Sequence, residues 1–268
     1  MGPVKLVISD IDGTLLTSDR IVTPGTVEAI QRVTRRGVHF AVATGRPTRG
    51  LRETLAGIDL VLPTIGSNGA VVEDLTTGEV FHSAHMDHEI ARRVVAVARE
   101  CNLGWVVYDT SRGWVAEVRG GRDDGTLRHF LDEDEVLIVD DLATAVPADS
   151  TITKIAVHGD EAILVRLDHA LRSVTGVRCT TSGENNREIV LAGVDKARAA
   201  QMLADRLDLT ADQVLAIGDS GNDLELIAWA GIGVAMGNAI PAIKEVANWV
   251  TSSNDEDGVA RALARFVL

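Results

Sequence analysis

The chain of 268 residues contains 46% hydrophobic and 24% charged residues, a composition typical of a globular protein that excludes a disordered chain. A chain of this length can bury a full core, so that folding needs neither disulfides nor a structural metal. The formal net charge of −13 disfavours nonspecific binding to nucleic acid or to an anionic membrane surface, because no basic surplus neutralises their phosphates.

The two cysteines, Cys101 and Cys179, form no C-x-x-C pair, and two cysteines are too few for a disulfide framework. We therefore expect reduced thiols and a cytoplasmic protein. The first nine residues lack the pattern of a signal peptide. No apolar run approaches the ~20 residues that a membrane-spanning helix needs.

Short β-rich runs alternate with amphipathic helices at both ends of the chain, which predicts βαβ units and a parallel sheet. In the first part, strands are predicted at 4–8, 38–43 and 61–65, with a helix from Thr23-Pro24 to Gly37. In the last part, the predicted strands are 214–217, 232–236 and 249–251, and the predicted helices are 197–207, 222–230, 239–247 and 259–267.

The middle of the chain has a different pattern. Two strands at 105–109 and 114–118 alternate like an antiparallel hairpin. The other predicted elements there are helices at 90–101 and 160–174, strands at 152–158 and 177–181, and a charged stretch at 119–135. We predict an α/β fold with a Rossmann-like, doubly wound parallel sheet, in which residues 1–83 and 188–268 form the core and 84–187 form an inserted α+β domain.

The strongest local signal is Asp10-Ile11-Asp12-Gly13-Thr14, which directly follows the first predicted strand. In an extended segment Asp10 and Asp12 lie on one side, and at the carboxyl end of a parallel strand they point into the ligand-binding crevice. Two carboxylates ~4 Å apart repel by about 4 kcal/mol at an effective dielectric near 20. The pair therefore requires either a protonated carboxyl or a divalent cation. The simpler alternative is a strand-to-helix turn in which the carboxylates are caps.

A second acidic segment, Gly-Asp-Ser-Gly-Asn-Asp at 218–223, directly follows the predicted strand 214–217. Asp219 is then at a strand end, in a position equivalent to that of Asp10. Oxygen ligands from several strand ends suit Mg²⁺. The alternative is a cluster of helix N-caps. The spacing does not fit a calcium loop, which needs a glutamate at its twelfth position.

Two further segments could contact an anion. Thr44-Gly45-Arg46 closes the second predicted strand and offers a hydroxyl, a backbone N–H and a guanidinium to a phosphoryl group, although a simple loop explains it equally well. Lys196 opens a predicted helix, and a lone lysine is most often a solvated surface residue.

These four segments, in this order and each at a strand end or a helix start, resemble the motifs of the haloacid dehalogenase superfamily of phosphohydrolases. Within it, the sequence is similar to the Cof-type sugar-phosphatase branch of subclass IIB, which has a large cap inserted between the second and third motifs. The likeness covers residues 1–82 and 188–268. It extends to 233–239 and 253–259, which are similar to C-terminal signatures of that branch.

The resemblance implies a Mg²⁺-dependent phosphatase of small phosphorylated metabolites, sugar phosphates foremost, whose cap selects the substrate. Asp10 would be the nucleophile that forms an aspartyl-phosphate, and Asp12 would protonate the leaving oxygen and then deprotonate the hydrolytic water. Asp10, the Asp12 backbone carbonyl and Asp219 would bind Mg²⁺, with Asp223 supporting them by hydrogen bonding. The residues assigned to the phosphoryl group and the substrate are Ile11, Thr44, Gly45, Arg46, Lys196 and Asn222.

The chain departs from the family pattern at two places that supply no proposed ligand atom. Ala197 stands where relatives usually have glycine, and Glu225-Leu226 replaces a methionine-containing pair. Dehalogenase activity is disfavoured because that chemistry lacks a carboxylate at the position of Asp12. Two other functions stay open, a phosphotransferase or mutase similar to the phosphomannomutase family, and a catalytically silent phosphosugar-binding protein, against which Asp12 argues.

Three patterns have simpler interpretations. The glycines of 231–237 lack the spacing of a dinucleotide-binding fingerprint and span a predicted strand. His82, His85 and His88 are spaced close to a metal-ligand pattern, but they fall at a strand-to-helix junction, which favours exposed histidines over a zinc site. Asn68-Gly69 is most simply a tight turn before a hairpin.

Overall fold

The computed structural model describes residues 2–49, 51–55, 57–58, 63–110, 113–117, 136–139, 149–183 and 185–268, of which 113–117 and 136–139 are described by their backbone only. The chain divides into two compact units, one of Met1–His82 with Val194–Leu268 and one of Ser83–Gly193. None of the helices in these ranges is long and apolar enough to cross a membrane.

Strands and helices alternate along most of the described chain. The strands, in chain order, are β1 Leu6–Ser9, β2 His39–Val42, β3 Thr64–Gly66, β4 Val71–Glu73, β5 Val80–Ser83, β6 Gly104–Asp109, β7 Gly113–Glu117, β8 Val136–Val139, β9 Ile152–His158, β10 Val177–Thr180, β11 Asn186–Leu191, β12 Val214–Gly218, β13 Ile232–Ala235 and β14 Trp249–Val250. The helices are α1 Pro24–Arg35, α2 Leu51–Thr54, α3 His88–Glu100, α4 Glu161–Leu171, α5 Lys196–Arg206, α6 Leu224–Trp229, α7 Pro241–Val246 and α8 Gly258–Phe266.

The first unit contains a five-stranded parallel sheet in the order β14-β13-β12-β1-β2. Leu6, Val7 and Ile8 of the central strand β1 are completely buried, as expected for a parallel strand that is covered on both faces. Helix α1 packs with α8, and α5 packs with α6. The predicted α/β fold with a doubly wound parallel sheet is confirmed.

The register of the sheet brings distant segments of the chain to one edge. Ser9, the last residue of β1, pairs with Ile217 of β12 on one side and with Val42 of β2 on the other. The N–H of Asp10 continues this pattern by donating a 2.9 Å hydrogen bond to the carbonyl oxygen of Ile217. The residues that follow these three strands are therefore neighbours at the carboxyl edge of the sheet.

The second unit contains a six-stranded sheet in the order β10-β11-β9-β6-β7-β8, in which β7 and β8 are parallel and the other neighbours antiparallel. Strands β6 and β7 form the predicted hairpin. Helix α3 packs against α4 and against this sheet. Trp105, Ile155 and Leu167 are buried in a hydrophobic core that is separate from the core of the first unit.

Several elements differ from the prediction. We did not predict β11, because its first three residues are polar, and yet it lies between β10 and β9 in the second sheet. The strand expected at 61–65 is the shorter β3 at Thr64–Gly66, which pairs with β4 in an antiparallel hairpin. Residues 61 and 62 and the charged stretch 119–135 lie outside the described residues.

Candidate active site

The turn after β1 gives the two carboxylates of the first motif different surroundings. Asp10 keeps an extended backbone, and residues 11–15 then form a tight turn in which Asp12 and Gly13 have non-helical backbone angles, so that the regular strand we expected ends before Asp12. Gly13 has a left-handed φ of 73°, which turns the chain directly after Asp12. Asp10 is 4% exposed, whereas 48% of the Asp12 side chain is exposed.

Gly13 also allows the first acidic segment to touch the second. A Cβ atom at Gly13 would lie 2.5 Å from Oδ2 of Asp219, so that a larger residue would displace this carboxylate. The Asp219 side chain is held by two hydroxyls, since Thr14 Oγ1 donates to its Oδ1 at 2.6 Å and Ser220 Oγ donates to its Oδ2 at 3.0 Å. The structure therefore brings Asp10 and Asp219 to the same site.

Lys196 lies between two carboxylates and has no exposed surface. Its Nζ donates to Oδ1 of Asp10 and to Oδ1 of Asp223, both at 2.6 Å. Burial alone would lower the pKa of Lys196, but the two carboxylates raise it above its ordinary value. The side chain of Asp195 caps α5 by accepting from the N–H of Arg198 at 2.8 Å, which places Lys196 at the first position of the helix.

Asp223 is completely buried and both of its carboxylate oxygens have partners. While Oδ1 accepts from Lys196, Oδ2 accepts from the backbone N–H groups of Asp219 and Ser220 at 3.0 and 3.1 Å. Asp223 therefore fixes both the loop that carries Asp219 and the ammonium group that contacts Asp10.

Negative charge exceeds positive charge in this cluster. Asp10, Asp219 and Asp223 each place a carboxylate oxygen within 4.8 Å of the others, and within the described ranges no other group of His, Cys, Asp or Glu does so. Burial, followed by repulsion from Asp223, raises the pKa of Asp10 well above its ordinary value and that of Asp219 to about 6. Hydrogen bonds from Thr14 and Ser220 oppose the rise at Asp219. Hard oxygen donors with uncompensated charge are suited to a divalent cation such as Mg²⁺.

Asp12 contacts a group of opposite charge, the guanidinium of Arg46. Arg46 Nε donates to Oδ2 of Asp12 at 2.7 Å and Arg46 Nη2 donates to Oδ1 at 2.6 Å, which is a bidentate pair. Arg46 is predicted to lie near the substrate. In this structure it engages the carboxylate predicted to be the general acid.

The other residues predicted to bind phosphate lie around the same edge. The N–H of Ala43 donates to the carbonyl oxygen of Ser9 at 2.9 Å, which places Thr44 and Gly45 beside the first motif. Thr44 is buried, and its Oγ1 accepts from the N–H of Arg46 at 3.1 Å, which leaves the hydroxyl hydrogen for an acceptor. The side chain of Ile11 lies in the hydrophobic core, so only its backbone can contact a ligand.

Asn222 is 5% exposed, and its Nδ2 donates to Oδ1 of Asn68 at 3.0 Å. The Oδ1 of Asn222 has no hydrogen-bond partner within the part of the chain that the structure describes. A buried amide oxygen without a partner is uncommon in folded proteins and often marks a place where water or a ligand binds.

Sequence reasoning missed the residues that hold the two acidic loops from the C-terminal side. Asn238 Nδ2 donates to the carbonyl oxygen of Gly13 at 2.8 Å, and its Oδ1 accepts from the N–H of Asn254 at 3.1 Å. The N–H of Ile240 donates to the carbonyl oxygen of Asp219 at 3.0 Å. Their only signal in the sequence was the similarity of 233–239 and 253–259 to family signatures, which suggested no contact. Thr14 belongs to the first motif, which gives it no role by itself.

The alternative patterns have structural explanations. His82, His85 and His88 do not form a group with convergent ligand atoms. A Cβ on Gly233 would lie 2.2 Å from the carbonyl oxygen of Ile227. This glycine therefore lets β13 pack closely on the preceding helix, which accounts for it without a dinucleotide.

Residues 7–263 match the family model of haloacid dehalogenase-like hydrolases. The 5-amino-6-(5-phospho-D-ribitylamino)uracil phosphatase YitU of Bacillus subtilis is 31% identical over 277 residues, which cover 97% of each chain. The HMP-PP phosphatase of an Enterobacter species is 31% identical over 243 residues, 89% of this chain and 86% of the relative. A solved structure of a haloacid dehalogenase-like hydrolase from Bacteroides thetaiotaomicron superposes with a TM-score of 0.82 at 30% identity, covering 98% of this chain and 99% of that one. The chain therefore belongs to the haloacid dehalogenase-like hydrolase family, in its Cof-type branch, and is a phosphatase.

Proposed function

We propose that the enzyme hydrolyses small phosphomonoesters, sugar phosphates foremost, through an aspartyl-phosphate at Asp10, with Mg²⁺ as cofactor. The observation that carries the proposal is the contact of the buried Lys196 ammonium with Asp10 Oδ1. Asp10 Oδ2 accepts no hydrogen bond from the described residues, which leaves it as the attacking atom. The ammonium holds the carboxylate in one orientation and opposes the rise that burial causes in the pKa of Asp10.

The chemistry divides between the two carboxylates of the first motif. Asp10 Oδ2 forms a bond to phosphorus while the bond from phosphorus to the leaving oxygen breaks, and Asp12 gives that oxygen a proton. Water then attacks the aspartyl-phosphate and Asp12 takes its proton, so that inorganic phosphate leaves and both carboxyl groups return to their initial state. The exposed position of Asp12 supports this assignment, because an acid that recycles must exchange protons and admit water.

The donor set supports Mg²⁺ as the cation. Asp10, the backbone carbonyl of Asp12 and Asp219 would hold the ion, and its charge would offset the excess of carboxylates and the charge of the phosphoryl group. The fit rests on hard oxygen donors and on the convergence of the carboxylate oxygens of Asp10, Asp219 and Asp223, which lie within 4.8 Å of one another. We assign Asp223 to the support of this site, because its Oδ1 accepts from Lys196 and its Oδ2 accepts from the backbone N–H groups of Asp219 and Ser220.

The phosphoryl oxygens are assigned to donors that surround Asp10. These are the Thr44 hydroxyl, the backbone N–H groups of Gly45 and Ile11, the Lys196 ammonium and the amide of Asn222, with the Arg46 guanidinium close by. Little covalent chemistry is required beyond the attack, so that positioning and charge neutralisation supply most of the rate.

We assign the choice of substrate to the inserted domain at 84–187, as the family resemblance implies, and catalysis to 1–83 and 188–268. The two relatives described above, YitU and the HMP-PP phosphatase, are named for chemically different phosphate compounds. This difference supports a substrate-selecting region that varies separately from the catalytic residues. We also propose a cytoplasmic enzyme. In support, neither cysteine forms a disulfide, and burial raises the pKa of Cys179, which makes this thiol a poor target for oxidation.

The experiment that tests the proposal compares Asp10→Asn with the wild type on p-nitrophenyl phosphate. We expect turnover to fall to background in the variant, and EDTA to abolish wild-type activity until Mg²⁺ is added back. Asp74→Asn is the matched control, since Asp74 lies outside the site and its side chain accepts from the backbone N–H groups of Thr76 and Thr77 in a turn. Activity retained in purified Asp10→Asn contradicts the mechanism.

Substrate and reaction type are tested by phosphate release over a panel of sugar phosphates, polyol phosphates, nucleotides and cofactor phosphates. Hydrolysis of a sugar or polyol phosphate with water as acceptor supports the proposal. Transfer of the phosphoryl group to a second sugar indicates a phosphotransferase or mutase instead. A panel on which the magnesium-loaded enzyme releases nothing indicates a phosphosugar-binding protein.

A further inference from the structure

The turn between β3 and β4 has an uncommon backbone. Ser67, Asn68 and Gly69 are consecutive, and their φ angles are 49°, 57° and 97°. Left-handed backbone is readily adopted by glycine and tolerated by asparagine, but it is strained in serine. A strained and buried turn persists only where its surroundings hold it, and such turns cluster at functional sites. A tight hairpin turn of type I′ accounts for two successive residues of positive φ, but not for a third.

The turn is held by the same segments that the proposed function assigns to binding of the phosphoryl group. The N–H of Ser67 donates to the carbonyl oxygen of Arg46 at 2.7 Å, and the N–H of Asn68 donates to the carbonyl oxygen of Thr44 at 3.0 Å. The turn is therefore bonded to the backbone of the loop that carries the Thr44 hydroxyl and the Gly45 N–H.

The same turn packs against the start of helix α5. A Cβ on Gly69 would lie 2.2 Å from the carbonyl oxygen of Asp195 and 3.2 Å from the nitrogen of Lys196. No other residue type fits at Gly69 without moving the backbone that positions the Lys196 ammonium.

The third contact is made by a side chain. Asn68 is 2% exposed, and its Oδ1 accepts from Nδ2 of Asn222, which is 154 residues away in sequence. A primary amide has two N–H donors on one nitrogen, so the bond to Asn68 fixes the plane of the amide and the direction of the second N–H. Without this acceptor, the Asn222 amide could rotate and present its oxygen, which repels a phosphoryl oxygen.

We propose that Asn68 is a positioning residue for phosphoryl transfer, which orients the amide of Asn222 so that its second N–H donates to the transferring phosphoryl group. The inference rests on the proposed function, in which Asn222 contacts that group. Asn68 acts through Asn222 and does not itself touch the substrate. The turn thereby joins the loop of Thr44, the start of α5 and Asn222 into one rigid support.

The test is a double-mutant cycle with Asn68→Gly and Asn222→Ala. Glycine accepts the left-handed φ without strain, so that Asn68→Gly removes the acceptor and spares the backbone. We expect kcat/KM for p-nitrophenyl phosphate to fall by about tenfold in Asn68→Gly, the scale of one lost buried hydrogen bond, and inhibition by inorganic phosphate to weaken in parallel. The kcat/KM of the double variant should match that of Asn222→Ala alone, because the proposed effect of Asn68 on phosphoryl transfer passes through the Asn222 amide.

Asn102→Gly is the matched control. Asn102 also has a left-handed φ, of 61°, and lies in the second unit, so that the same exchange there should leave both kinetic readouts unchanged. Asn68→Asp is a second variant that keeps an acceptor oxygen. We expect it to retain kcat within about threefold of the wild type, while its added charge weakens binding of phosphate.

Three outcomes overturn the proposal. The first is an Asn68→Gly variant whose kcat/KM and inhibition by phosphate are those of the wild type. The second is a double variant in which the losses of the two single variants multiply. The third is a kcat of Asn68→Asp that is as low as that of Asn68→Gly. A wild-type kcat/KM in Asn222→Ala would instead contradict the role of Asn222 in the proposed function. The two failures are therefore distinguishable.

Discussion

Lys196 in the first unit and Lys154 in the second are both buried, and each contacts a carboxylate. The difference between them is the balance of charge. Lys154 pairs with Glu188, and because the two charges are opposite, the pair is neutral as a unit. The Nζ of Lys154 also lies 4.2 Å from the centre of the Tyr108 ring. Lys196 contacts two carboxylates, and Asp219 adds a third to the same cluster.

This comparison shows that burial of a lysine is weak grounds for assigning catalysis. In a neutral ion pair the two charges cancel, so that no further ligand is needed for charge balance. Removal of either partner leaves an uncompensated buried charge. A cluster with more carboxylates than cations stays incomplete until it binds a metal ion or protons. The imbalance distinguishes the site of the first unit from the ion pair of the second. Burial first, and then repulsion from Asp223, raise the pKa values of Asp10 and Asp219.

The largest effect is expected for Lys196→Met. The variant loses the group that orients Asp10 and compensates the phosphoryl charge, and we expect kcat/KM for p-nitrophenyl phosphate to fall on the order of 10³-fold. Initial rates of phosphate release measure the loss, and circular dichroism shows whether the variant is folded. A folded variant that keeps a tenth or more of the activity would mean that charge at this position is not required.

A smaller effect, on stability, is expected for Lys154→Met. The carboxylate of Glu188 would then be buried without the ammonium that compensates its charge, and we expect the free energy of unfolding in urea to fall by about 3 kcal/mol. The double variant Lys154→Met/Glu188→Leu should recover most of the loss, because it removes both charges together. If the double variant is as unstable as the single one, the pair is not a self-contained neutral unit.

The smallest effect is expected for Asp219→Asn in protein freed of metal with EDTA. The pKa of Asp219 is about 6 in the folded state, above the value of about 4 in an unfolded chain. The folded state therefore holds a proton that the unfolded state releases, and this carboxyl costs stability as the pH rises from about 4 to 6. Asparagine does not titrate, so we expect the variant to be about 2–3 kcal/mol more stable than the wild type at pH 7.

The control for this prediction is the same comparison at about pH 3, below both pKa values, where the gain should vanish because both states of the wild type are largely protonated. Urea unfolding at the two pH values provides the measurement. Added Mg²⁺ should raise the stability of the wild type and leave the variant unchanged, because only the wild type retains the proposed ligand. An equal response of both proteins to Mg²⁺ would exclude Asp219 from the metal site.

How much of the site was predictable depended on the range of the contacts involved. Asp10 and Asp219 each follow a strand with a clear β pattern, and in a parallel sheet the residues after neighbouring strands share an edge. Lys196 is different, because a lysine at a helix start is usually solvated, and only the family resemblance assigned it to the site. Its burial depends on the position of α5 against the sheet edge, which no local pattern encodes. The cap boundaries, the metal ligands and the residue roles stay predictions.

The sequence by itself determined the α/β class, most of the strands and helices, and the segments that carry the acidic residues, because periodicity, caps and glycines act over a few neighbouring positions. Only the tertiary structure decided that Asp10 is buried against Lys196 while Asp12 pairs with Arg46, and that the turn at Asn68 contacts Asn222. These pairs are separated by 34 to 186 residues, and their distances depend on sheet register and on helix packing. A charge becomes reactive through its neighbours in space, and that arrangement exists only once the chain has folded.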